Sequence, residues 1–285
     1  MATGVRALWS ALTRPLVPGF IVVLVKKMGR DDVTVLAAAI AYYGFLSIFP
    51  LALALIALFG LALPSQHLQD QVLNFFSQTF PGSGDLLQQN LTDIIRYRGA
   101  LGAVALLGLL WSSTAIFSAV SLGVNRAWGI QHQHPLYIKK PREIAMVLAT
   151  GVLLLLSLAL SGLFSFLDRN SLSFSGVPYT VATIATAFVL SLLVFSLVFN
   201  FLPVKRPGWA GVWPGALLSA FLFELGKYLF VQYLDHFGNY SRIYGSVASV
   251  IVMLVWIYFS AYIVLLGAEF NAVLRGFREE RKSLR

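Results

Sequence analysis

Six stretches of this chain are each long and apolar enough to cross the roughly 30 Å hydrocarbon core of a bilayer. They run at about Thr34–Leu63, Gly99–Leu122, Ile144–Phe166, Val177–Leu202, Val212–Asp235 and Tyr244–Leu274. No polar interval between them is long enough to fold as a soluble domain. Composition agrees: 58% of the 285 residues are hydrophobic and 12% charged, where a soluble domain holds about half and about a quarter. The expected fold class is therefore all-α, a polytopic membrane protein whose 1–285 form a single integral domain. The absence of cysteine excludes disulfides, thiolate metal sites and a cysteine nucleophile.

The net charge of +9 has a topological reading. Sixteen of the 21 basic residues fall before the first run, after the sixth, or in the second–third and fourth–fifth links. Only Arg96, Arg98, Arg169 and Arg242 fall on the other side, and Lys227 lies inside a run. The basic side faces the cytoplasm, so both termini are expected there, and the excess serves orientation and anionic lipid, not nucleic acid. The segment 15–30 is too short to span and is interrupted by Pro18 and Gly19. It lacks a small-residue cleavage site and reads as a helix in the interface plane, with Lys26, Lys27 and Arg30 near lipid phosphates. Residues 1–33 form a cytoplasmic and interfacial segment, and 275–285 a basic tail. The outer link 64–98 reads as two amphipathic helices about Pro81-Gly82-Ser83-Gly84. It is either a hairpin packed on the spans, a lid, or a docking site.

Within AFLFELGKYLFVQYLDHF, Glu224 and Lys227 stand three apart on one helix face, deep in the fifth run. An intramembrane charge costs at least ~2.5 kcal/mol unless it is paired or neutralised. The pair is a structural brace or, with Tyr228, part of a polar substrate path. Thr114, Ser118, Ser121 and Asn125 form a second polar stripe at offsets of four, three and four. Such a stripe bonds a neighbouring helix or lines water. Ser246, Ser249, Trp256 and Ser260 share a face of the sixth run. Asn200, Glu269 and Asn271 sit near the cytoplasmic boundary as an inner gate, with Glu269 expected to pair with a loop base such as Lys205. In the first run, Pro50 predicts a kink after Tyr42, Tyr43 and Ser47, a hinge or packing group. Ala37, Ala38, Ala41 and Gly44, and separately Gly211 and Gly215, permit close helix approach.

Enzyme chemistry finds little support. His132 and His134 lack an acidic partner nearby except Glu143, and no HExxH, G-x-S-x-G or phosphate-binding glycine loop is present. No metal or other cofactor is expected, and ATP-driven transport by this chain alone is not.

Three stretches carry a family resemblance: AAAIAYYGFLSIFPLALALIALFG (37–60), NRAWG (125–129) and YGSVASVIVMLVWIYFSAYIVLLGAEFNAVL (244–274). Together they resemble the YihY/virulence factor BrkB family, over nearly the whole chain and in order. The matching positions are Tyr42, Tyr43, Ser47, Pro50, Asn125, Tyr244, Gly245, Gly267 and Glu269. The resemblance implies a bacterial inner-membrane protein with six spans and cytoplasmic termini. The family once carried the label ribonuclease BN, yet this sequence shows no acid cluster or histidine set for nuclease chemistry. Links of the family to serum resistance and lipopolysaccharide phenotypes imply a role in moving or organising envelope components. The leading expectation is a transporter, without its own ATP site, for a lipid or other envelope amphiphile. The second is a non-transporting scaffold of an envelope-assembly machine, docking through 64–98. The expected partners are membrane lipids, envelope-assembly proteins and a second copy of the chain.

Overall fold

The computed structural model describes residues 16–59, 114–130, 136–169, 177–204, 207–237 and 246–283. Seven helices occupy them: α1 Leu16–Arg30, α2 Val33–Phe59, α3 at 114–127, α4 Leu136–Arg169, α5 Val177–Phe201, α6 Trp209–Phe237 and α7 Ser246–Ser283. Among the described residues there is no strand. Stretches within α5, α6 and α7 (Ile184–Phe201, Trp209–Leu234 and Val250–Glu280) are each long and apolar enough to cross a membrane. The bent pair of α1 and α2 makes a fourth if counted as one span. The expected second run is described only from 114, the third falls within α4, and the outer link 64–98 lies outside the described residues.

α1 and α2 meet at 59°, across a two-residue break at Asp31-Asp32. Asp32 adopts φ 55°, a left-handed conformation that a short polar side chain tolerates. The Asp32 carbonyl then accepts the Leu36 amide, opening α2. α1, at 15 residues, is about 22 Å long and does not span alone. It lies against α7 through Phe20, whose ring centroid is 5.2 Å from that of Phe270 and 5.7 Å from that of Phe277. Ile21, Val22, Val23 and Val25 stay exposed beside Lys26 and Arg30, as an interfacial helix requires.

α7 is the central element. It packs on α1, α2 and α6, while α6 packs on α5 and α5 on α4. Its 38 residues reach about 57 Å, so its basic last turns extend past a bilayer's hydrocarbon. The core combines Ala37 and Ile40 of α2, Val124 of α3, Phe199 of α5, Ala216 of α6, and Ala261 and Leu265 of α7.

In lipid, no hydrophobic drive holds apolar helices together, so contact must come from close packing and interhelical hydrogen bonds. α6 and α7 use both. A Cβ on Gly215 would lie 2.3 Å from the Gly267 carbonyl oxygen, and one on Gly267 would meet Ser219 Oγ. Pro214, inside α6, lacks an N–H and crowds the preceding turn. There Asn271 of α7 accepts from the Gly215 amide at 2.7 Å and donates to the Val212 carbonyl at 3.1 Å. Ser219 Oγ donates to the Ile263 carbonyl at 3.2 Å. α2 meets α7 at Gly44, where an added Cβ would lie 2.8 Å from Ile257 Cγ2. Replacing Gly267 by Ala should lower the detergent melting midpoint, at an overpacking cost of about 1–3 kcal/mol. Adding Ser219→Ala should restore part of the loss. Fluorescence-detected unfolding of wild type and the two variants reads both effects.

Candidate functional site

The polar residues gather into three clusters. The first lies where α1, α3 and α7 meet. Lys27 Nζ donates to Asp31 Oδ2 at 2.7 Å, to the Ala127 carbonyl at 2.7 Å and to Glu269 Oε2 at 2.5 Å. An ammonium has three donors, and all three are used. Glu269 is only 1% exposed, so this cation is what makes its charge tolerable there. Glu269 thus pairs with Lys27, while Lys205, the loop base expected from sequence, lies outside the described residues. Lys27 turns inward, while its neighbours Lys26 and Arg30 remain exposed. The end of α3 is shaped for this contact. Gly129, at φ 68°, lets the Gly129 and Ile130 amides fold back on the Arg126 and Asn125 carbonyls and stops the helix. Arg126 Nη1 reaches Asp32 Oδ2 at 3.2 Å and the Asp31 carbonyl at 3.4 Å. Arg275 lies 5.7 Å from the Trp128 ring centroid.

The second cluster joins α3, α4 and the α5–α6 link. Ser118 Oγ donates to Glu143 Oε1 at 2.5 Å. Asn125 uses both ends of its carboxamide: Oδ1 accepts the Val204 amide at 2.8 Å, and Nδ2 donates to the Ser121 carbonyl at 2.7 Å. Arg142 Nη1 donates to the Pro203 carbonyl at 3.1 Å. Glu143 is 3% exposed, with Lys140 Nζ 3.1 Å from Oε2 and Lys139 Nζ 3.9 Å from Oε1. The Lys140 contact is close enough for an ion pair, but Oε2 accepts no hydrogen bond among the described residues. A cleft of about 20 Å³ opens here, lined by Ser121, Asn125, Lys139, Arg142 and Glu143 with Leu202 and Val204.

The third cluster lies within α5 and α6. Lys227 Nζ is 2.7 Å from Glu224 Oε2, Ser191 Oγ donates to Glu224 Oε1 at 2.7 Å, and the ammonium sits 5.3 Å from the Phe223 ring centroid. Glu224 is fifteen residues into α6, about 22 Å along its axis, so the pair falls near the middle of the helix. Its side chains keep 20% and 24% exposure, so they are not sealed. Tyr228 beyond them is exposed.

The sequence-predicted residues thus divide. Glu224 and Lys227 contact one another. Ser121 and Asn125 line the cleft at the end of α3, Ser118 donates to Glu143 beside it, and Thr114 is buried on the same helix. Asn200 is buried in α5 with an Oδ1 that accepts no hydrogen bond among the described residues. Glu269 and Asn271 point to different neighbours, α1 and α6. Tyr42 and Tyr43 are exposed on α2, and Ser47 Oγ donates to the Tyr43 carbonyl at 2.8 Å. α2 continues through the position of Pro50. Tyr244, Gly245, His132 and His134 lie outside the described residues. Among the described residues no three acidic or histidine side chains gather to hold a metal. Sequence reasoning missed Ser191, Glu143 and the inward role of Lys27. Ser191 carries a weak signal, one hydroxyl in an apolar run that also holds Thr183, Thr186 and Ser196, whereas the Lys27–Glu269 contact spans 242 residues and has none.

Removing Lys27 strands a buried carboxylate. Lys27→Met should cost about 3 kcal/mol of stability, and Glu269→Gln in the same chain should recover most of it. Thermal midpoints of the two single variants and the double variant measure this coupling.

The model of a family described as virulence factor BrkB matches residues 24–285. A UPF0761 membrane protein of Pseudoalteromonas atlantica is 29% identical over 281 residues, covering 96% of this chain and 93% of that protein. One of Pseudoalteromonas translucida is 31% identical, covering 90% and 86%. One of Vibrio cholerae is 30% identical over the same shares. No solved structure matches the chain.

Proposed function

This chain belongs to the virulence factor BrkB family, and from that premise we propose that it is a transporter, without an ATP site of its own, for a lipid or similar envelope amphiphile. The observation that carries the reading is the Ser191–Glu224–Lys227 cluster. Ionisable residues within a span are expensive, and by default they mark a path for a polar group. A brace of opposite charges would be most favourable fully enclosed, yet this pair keeps a fifth to a quarter of its side-chain surface open. Phe223, Phe230 and Trp256 lie together beside it, with ring centroids 5.0 and 5.8 Å from Trp256. A partly exposed ion pair at Glu224 with aromatic rings alongside suits a molecule with a charged head and an apolar body. The head exchanges water for the ion pair while the tails stay in hydrocarbon.

The same reading sets the chain in the bacterial inner membrane with six spans and both termini cytoplasmic. The basic residues before α2, at the end of α3 and the start of α4, and in the last turns of α7 support that orientation. The chain has no cysteine, so single cysteines report topology cleanly. Ala2→Cys and Ser283→Cys should react with an impermeant maleimide only after the inner membrane is opened, and Ser83→Cys once the outer one is. The reverse pattern inverts the topology.

The transport test uses the purified full chain in vesicles holding fluorescently labelled phosphatidylglycerol or phosphatidylethanolamine, with leaflet exchange read by chemical quenching. Wild type should accelerate exchange. Glu224→Gln and Lys227→Met should each lower it at least fivefold while keeping the folded yield. Normal exchange in both variants would remove this cluster from the path. No exchange with wild type would contradict phospholipid transport.

A further inference from the structure

The cleft at the start of α4 has a composition that the mid-membrane pair does not explain. Two cations, Lys139 and Arg142, line it together with Glu143, and Lys140 stands at its rim. Glu143 is almost wholly buried, yet its Oε2 accepts no hydrogen bond among the described residues. The cleft therefore presents positive donors and one buried acceptor side by side. Its volume, about 20 Å³, admits one water-sized group, such as a single phosphate oxygen. The rest of a larger ligand would sit at its mouth.

What leads away from the cleft is apolar. Ile144, Leu148, Val152 and Leu156 are all exposed on α4. They recur every four residues and form one stripe about 18 Å long that begins beside Glu143. Behind the cleft, Tyr137 and Ile138 are exposed at the start of the helix. A polar cleft with a phosphate-sized opening, and an exposed apolar track that starts at the next residue of α4, match one molecule lying along a helix: a phospholipid.

We infer that this cleft and the α4 stripe form a binding site for one phospholipid of the basic, cytoplasmic leaflet. The phosphate sits against Lys139 and Arg142, a donor in the headgroup reaches Glu143 Oε2, and an acyl chain follows Ile144 to Leu156. Arginine and lysine side chains are the usual partners of phosphate oxygens. Glu143, whose Oε2 faces the Lys140 ammonium at 3.1 Å without accepting a hydrogen bond among the described residues, adds selectivity: a headgroup with an N–H or O–H beside its phosphate satisfies it, and a quaternary ammonium does not. Phosphatidylglycerol and phosphatidylethanolamine qualify, and phosphatidylcholine does not. The site names the loading end of the proposed path and rests on that reading for its purpose, but binding and exchange are measured separately.

The test is native mass spectrometry of the full chain with each of the three lipids, alongside photo-labelling with a phosphatidylglycerol carrying a diazirine in its acyl chain. Wild type should keep one phosphatidylglycerol or phosphatidylethanolamine at least fivefold better than phosphatidylcholine, with label concentrated in 144–156. Lys139→Gln and Arg142→Gln should each lower retention about tenfold, Glu143→Gln should erase the preference over phosphatidylcholine, and Arg278→Gln in the tail should change neither. Label spread evenly over all the lipid-facing helices of wild type would overturn the site even if a variant fails to fold. So would retention unchanged in Lys139→Gln. Inorganic phosphate that binds wild type while no lipid is retained would assign the cleft to a free anion and overturn the lipid reading. Glu224→Gln should keep this lipid while losing exchange. A wild type that holds the lipid but does not exchange it defeats the transport reading and leaves the site standing.

Discussion

The arrangement of the end of the bundle where α1, α3 and α7 meet depends on one ammonium group. Lys27 of α1 is held by Asp31 at the helix break, by the carbonyl of Ala127 at the end of α3, and by Glu269 of α7. Three elements distant in sequence are fixed by three hydrogen bonds from one atom. The contact fixes the bend between α1 and α2 and brings the end of α3 against α7. Hydrocarbon cannot supply this order, because apolar helices gain little from each other over lipid tails. Polar contacts and small-residue packing must do it, and both occur near the same level: Asn271 and Gly267 lie within two residues of Glu269 on other faces of α7.

The NRAWG stretch acquires a physical account from this. Asn125 holds the α5–α6 link, Arg126 reaches Asp32, Ala127 offers its carbonyl to Lys27, Trp128 receives Arg275, and Gly129 ends the helix in a left-handed turn. Five consecutive residues each serve a separate contact. That end of the molecule is thus a rigid frame, and the cleft beside it shares Asn125 and Ser121 with the frame. The mid-membrane cluster is built on less. It rests on two helices, α5 and α6, and one hydroxyl from Ser191. Rigidity at one end and a partly open ion pair at mid-depth are what a path through a membrane needs.

Much of the helical architecture could be read from the sequence because hydrocarbon thickness is a strong constraint on run length. α5, α6 and α7 lie close to where their apolar runs place them, and Asp31-Asp32 marks the opening of α2. The Glu224–Lys227 pair was legible too, since a spacing of three leaves little choice of partner on a helix. Contacts across the fold were not. Glu269 had a plausible base in the nearest loop, and Lys27 had a plausible phosphate in the membrane, so nothing in either local pattern pointed to the other. The α3 stripe showed the same limit. Its spacing gave the shared face, but not that Ser118 meets Glu143 or that Asn125 binds a backbone amide.

The central claim is that the Ser191–Glu224–Lys227 cluster is reached by water, as a path must be and a sealed brace need not be. Ser191→Cys tests it most directly, because it is nearly isosteric and is the only thiol in the chain. In membranes, a small water-soluble methanethiosulfonate should modify that thiol within minutes. A thiol at 191 that stays unmodified in the folded protein and reacts only after denaturation would contradict the account, and make the pair a structural brace.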